Sequence, residues 1–130
     1  MKKSNIIFPI ALIFLATIFM AFISEPDDIN KALKTGNTEI LMQNMNSTVE
    51  LVILEKENVY SKVQAEQILK QFFSNHEPVS FEILHNGGNE SSQYYIGTLK
   101  TKRETYRVYY LLKTKDKLTL LYQLRIETDE

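Results

Sequence analysis

Residues 79–127 read VSFEILHNGGNESSQYYIGTLKTKRETYRVYYLLKTKDKLTLLYQLRIE, and this stretch decides the fold. Four runs rich in Val, Ile, Phe, Tyr, Leu and Thr are parted by short polar connections, the pattern of successive antiparallel strands. In the first run Val79, Phe81 and Ile83 alternate with Ser80 and Glu82, the period of two that gives a strand one buried face. His85 closes it, and Asn86, Gly87, Gly88 and Asn89 tolerate positive φ, so a reversal is expected there. The second run, 93–100, has Tyr94 and Ile96 on one side and Tyr95 and Leu99 on the other, with Gly97 marking a bend, a bulge or a close neighbour.

In the third run Tyr106, Val108, Tyr110 and Leu112 share a face, opposite Thr105, Arg107, Tyr109 and Leu111. The fourth repeats this: Leu118, Leu120, Tyr122, Leu124 and Ile126 against Thr119, Leu121, Gln123, Arg125 and Glu127. One sheet face is therefore fully apolar. The other mixes Arg107 and Arg125 with Tyr109, Leu111, Leu121 and Gln123, an apolar centre rimmed by arginine that suits a protein interface. Tyr95, Arg107, Tyr109, Gln123 and Arg125 are the candidate binding surface, for an unidentified protein, a small ligand or a second copy of the chain.

Upstream, Ser61 and Gln64 form a capping-box pattern that opens a helix to about Phe73, with Ala65, Ile68, Leu69 and Phe72 on one face. Pro78 ends the link that follows. That face covers the apolar side of the sheet. Residues 49–54 are apolar at all but Glu50 and read as a further strand, followed by a charged turn and a short extended Val59 and Tyr60. Two short helices precede it. The first starts at Asp27 or Asp28 and stops at Gly36, and the second, capped by Asn37 or Thr38, ends in the polar stretch 44–48.

The chain opens with Lys2 and Lys3, runs apolar from Ile6 to Ile23 broken by Pro9 and Thr17, and turns acidic at Glu25. Residues 1–24 read as a cleaved export signal, or as a retained membrane anchor, because the run matches the roughly 17–25 residues that cross a bilayer. Either form places a single α+β domain, 25–130, outside the cytoplasm, periplasmic or in the cell envelope, with membrane contact only through an uncleaved 1–24. The chain has no cysteine, so neither disulfides nor cysteine lipidation is available. Two of its 15 basic side chains and none of its 16 acidic ones lie in 1–24. The rest is slightly acidic, which argues against nucleic acid as a partner.

The order ααβαββββ suits a curved antiparallel sheet of four to five strands wrapped on helices as a cone. At this level the chain resembles the nuclear-transport-factor-2-like and cystatin-like superfamily. It is more closely similar to the small exported bacterial domains called domain of unknown function 4783, through DINKALKTG (28–36), VYSKVQAEQILKQFF (59–73), QYYIGTL (93–99) and QLRIE (123–127). The resemblance implies a cone fold and brings no assigned activity. Superfamily enzymes place an Asp, His or Tyr at the cone mouth, and many members dimerise through the sheet; here no aspartate falls in a strand run.

Among residues that could carry chemistry, His85 is the pocket candidate, with Glu50, Glu82 and the tyrosines behind it. Glu82 faces away from the packed side by period. His76 and His85 are the only histidines, too few for zinc without cysteine, so no metal or cofactor is expected. The basic stretches 100–103 and 113–117 fall at opposite ends of a meander and read as solvated turns. The cystatin hairpin Q-x-V-x-G, phosphate loops and nucleophile elbows are absent. The expectation is a non-enzymatic binding or interaction module, with no catalytic residue assigned. The alternatives are a cone-pocket lyase or isomerase using His85 or a tyrosine, and a membrane-anchored structural envelope component.

Overall fold

Two carboxylates, Asp27 and Asp28, sit in the first turn of α1 (Asp27–Thr35), where they meet the positive end of the helix dipole. The computed structural model describes residues 27–129, so the segment 1–24 lies outside the described residues. Gly36 follows at φ +70°, a left-handed conformation that ends the helix as expected. Asn37 caps α2 (Thr38–Gln43), its side chain accepting from the Ile40 amide at 3.1 Å. A hairpin of β1 (Met45–Ile53) and β2 (Lys56–Ser61) comes next. Ser61 and Gln64 then make the reciprocal capping box that opens α3 (Lys62–Asn75). The chain finishes in β3 (Pro78–Gly88), β4 (Ser92–Thr101), β5 (Thr105–Lys115) and β6 (Leu118–Thr128).

The strands form one curved, unclosed sheet in the order β2-β1-β6-β5-β4-β3, with β1 parallel to β6 and all other pairs antiparallel. The helices cover its inner face. Leu33, Leu41, Leu69 and Phe72 meet Leu51, Leu99, Tyr106, Val108, Tyr110, Leu124 and Ile126 there in one continuous core. The α+β cone is thus the one the sequence implies, with six strands and the order ααββαββββ. The added strand is β2. Its residues are exposed except for a half-buried Tyr60, so it lacks the apolar alternation by which a strand is recognised. Residues 45–48, read as the tail of a helix, are already strand.

Four register shifts curve the sheet and re-aim side chains. The first, in β1, falls between Met45 and Glu50. In β3, Pro78 pairs with Thr101 while Ser80 pairs with Lys100, so Val79 is an extra residue and is exposed instead of sharing the buried face expected with Phe81 and Ile83. Further along, Ile83 pairs with Gly97 while His85 pairs with Ile96, so Leu84 is extra as well. In β6, Leu121 pairs with Leu112 and Gln123 with Leu111, so Tyr122 is extra. The consequence is a correction to the expected faces of β6: Leu121 is fully buried in the core, and Leu118, Leu120 and Tyr122 belong to the outer side. Asn86 to Gly88, expected in a reversal, continue β3, and the turn comes at 89–91.

Candidate functional site

The inner face opens between α3 and the β1–β2 hairpin. Register fixes what points there: Leu51 pairs with Asn58 and Ile53 with Lys56, so these residues share the inner face with the buried Leu124 and Ile126 opposite β1. Ile68, Gln71, Phe72 and Asn75 recur at three- and four-residue spacing along α3 and form the facing wall. Between the walls lies an open cleft of about 910 Å³, lined also by Tyr60 and, at the hairpin turn, by Leu54, Glu55, Glu127 and Thr128. A two-residue loop turns the hairpin at this rim, with Leu54 at φ +57° and its amide donating to the Ile126 carbonyl at 2.8 Å.

The floor is apolar and aromatic, and the polar groups are amides and hydroxyls with Lys56, Glu55 and Glu127 at the edge. The Glu127 carboxylate is already engaged by Arg125, whose Nη2 lies 2.8 Å away. The hydrogen bond to Glu127 holds the Arg125 guanidinium above its ordinary value, and Glu57 and Glu50 add to the negative field around it. A cleft of this size and lining suits a small molecule with an apolar body and a few hydrogen-bonding groups. Gln71 and Asn75 are the side chains of the facing wall able to orient one.

Neither histidine lines the cleft. His76 caps α3, with Nδ1–H donating to the Phe72 carbonyl at 2.9 Å and its ring stacked on Phe72 at 4.4 Å. His85, the pocket candidate, is exposed and on the outer face, because the extra residue Leu84 turns it away from Phe81 and Ile83. Among the described residues no three metal-ligating side chains converge.

Of the five residues expected to share a binding surface, the structure brings four together. Arg107, Tyr109, Gln123 and Arg125 occupy the outer face of β5 and β6. Tyr95 does not join them. It pairs with Tyr110 and stacks on that ring at 4.8 Å on the inner side, and Tyr94 takes the outer place beside Tyr109 at 6.1 Å. The cleft residues escaped sequence reading as a site because Ile68 and Phe72 carry only the signal of a helix packing on a core. Nothing in the sequence shows that the hairpin stands off from that helix.

Residues 26–127 match the family described as domain of unknown function (DUF4783). Among solved structures, a DUF4783 family protein from Bacteroides uniformis has a TM-score of 0.78 at 30% identity, over 82% of this chain and 99% of its own. A second, from Bacteroides ovatus, has a TM-score of 0.77 at 28% identity, over 82% and 96%. A Nostoc punctiforme domain of unknown function with a cystatin-like fold matches at 0.64 and 11% identity, over 80% and 72%, a likeness of fold alone. No curated protein matches the sequence.

Proposed function

This chain belongs to the DUF4783 family, and from that premise we propose that it is a non-enzymatic binding module that holds a small, largely apolar ligand between α3 and the β1–β2 hairpin. The reading includes an exported domain in the cell envelope, as the lysine-led apolar run of 1–24 suggests. The observation that supports it is the cleft itself: about 910 Å³ walled by Ile53, Tyr60, Ile68 and Phe72. Pockets that take small ligands are concave and mostly apolar, with a few polar groups to fix orientation. A proton-transfer enzyme needs an acid or base within hydrogen-bond reach of the reacting atom. His85 lies on the other side of the sheet from this cleft.

The test is binding of 1-N-phenylnaphthylamine, a neutral probe that fluoresces in apolar surroundings. One probe per chain is expected, with affinity lowered at least about tenfold by Ile68→Trp, which fills the cleft from its half-buried wall position. Probe binding that ignores Ile68→Trp in a variant of unchanged melting temperature, or no binding at all, would overturn the proposal.

A further inference from the structure

We propose that the β5–β6 turn is a second interaction surface, one that rests against a bilayer carrying anionic phospholipid headgroups. Residues 113–122 read KTKDKLTLLY, three lysines against the single acid Asp116. Alternation from the buried Tyr106, Val108, Tyr110 and Leu112 puts Lys113 and Lys115 on the outer face. Their ammonium groups stand 5.1 and 5.6 Å from the centroid of the Tyr122 ring, which the extra residue of β6 delivers to that face. Leu118 is 59% exposed beside them. The turn is tight, with Asp116 at φ +52° and Lys117 at φ +66°. Ammonium groups gathered over an aromatic ring next to an uncovered leucine match a lipid surface chemically. The cations meet phosphate, while the ring and the leucine enter the headgroup layer.

The other basic stretch differs. Lys102 is paired to Glu77 at 2.8 Å. Among the described residues the ion pairs are that one, Arg107 with Asp129, and Arg125 with Glu127, and none involves Lys113, Lys115 or Lys117.

The path of the chain supports the same orientation. In the first turn of α1, Asn30 accepts a hydrogen bond from the Tyr110 hydroxyl, halfway along β5. The helix ends at Gly36, against Pro78 at the opposite end of the sheet. Its N-terminal end therefore faces the end that carries the β5–β6 turn. The strand from Tyr110 to Lys115 adds about 16 Å in that direction. The apolar run 6–23 precedes α1, so a chain held in a bilayer by that run presents this turn to the same membrane. Besides Asp116, the acids at this end are Asp27, Asp28 and Glu90, and among the described residues none of them forms an ion pair with Lys113, Lys115 or Lys117. Asp27 and Asp28 are on the helix side of the sheet, and Glu90 is in the β3–β4 turn, tied alongside by the Thr114 amide donating to the Ser91 carbonyl at 2.9 Å. It is the outer edge of the turn that meets lipid.

The chain has no tryptophan, so Leu118→Trp in the full-length protein is a silent-background reporter. It is reconstituted into phosphatidylcholine vesicles with and without one quarter phosphatidylglycerol. Blue-shifted emission, quenched by lipids brominated near the headgroup, is expected only with phosphatidylglycerol. Adding Lys113→Gln, Lys115→Gln and Lys117→Gln lowers the ratio of docked to undocked turn by about a hundredfold, and high salt does the same in the unsubstituted background. Equal emission and quenching in both vesicle types would overturn the proposal. So would docking that persists in high salt, or docking unchanged by the three substitutions in protein of native circular dichroism.

Discussion

Tyr110 is fully buried in the core, and its hydroxyl donates to Asn30, joining β5 to the first turn of α1. Burial, then the neighbouring Tyr95 and Asp27, pushes its ionisation far above the ordinary value of 10.0. The native state keeps this proton at pH values where the unfolded chain releases it. Stability from this residue is therefore fully present below pH 10.0 and is lost as pH rises toward the folded-state value. Tyr110→Phe is expected to cost about 1–2 kcal/mol near neutral pH, by leaving the Asn30 carbonyl unpaired. It should also flatten the loss of stability between about pH 9 and pH 11, as urea melts at each pH would read. A substitution with an unchanged pH slope would remove Tyr110 from this role. The sequence shows Tyr110 as core by alternation alone, and the same rule places Arg107 and Tyr109 outside, as found. The rule places His85 wrongly because one added residue in a strand reverses every side chain beyond it. Tyr95 lies on the inner side, as its alternation with Leu99 implies, so it cannot share a surface with Arg107 and Tyr109.

Elements with strong local chemistry were legible. The capping box at Ser61 and Gln64 and the Asn37 cap form where their side chains demand it, and the helix stops where Gly36 can take a left-handed backbone. Bulges were not legible, because they arise from the curvature the whole sheet needs to wrap its helices, and no residue in KLTLLYQLRIE announces which position is extra. Edge strand β2 was hidden by its charged exposure. Gly97 shows what close packing in a curved strand requires. A Cβ there would lie 2.5 Å from the Glu82 carbonyl oxygen and 2.7 Å from Phe81 Cζ, and the first of these is backbone that cannot swing away. Gly97→Ala is expected to destabilise the domain by about 1–3 kcal/mol, read as a lower urea midpoint. A stability equal to the parent would mean that β3 and β4 are free to part at this point.

At the scale of the molecule, the fold class followed from the run of strands after one amphipathic helix, and family membership agrees with it. The cleft did not, because it depends on how far the β1–β2 hairpin stands from α3, a distance set by the parallel pairing of β1 with β6 between residues about 70 apart in sequence. The same architecture leaves two further surfaces with different chemistry: the tyrosine- and arginine-bearing outer face, and the lysine turn at the end where α1 begins. The most direct test of ligand binding in the cleft is a titration of methyl-labelled protein with 1-N-phenylnaphthylamine, followed by nuclear magnetic resonance. Shifts concentrated on Leu51, Ile53, Leu54 and Ile68, with Leu111 and Ile96 unmoved, are the expected result. Shifts concentrated on Leu111 and Ile96 would contradict it and direct attention to the outer face as the surface for a partner or a second copy.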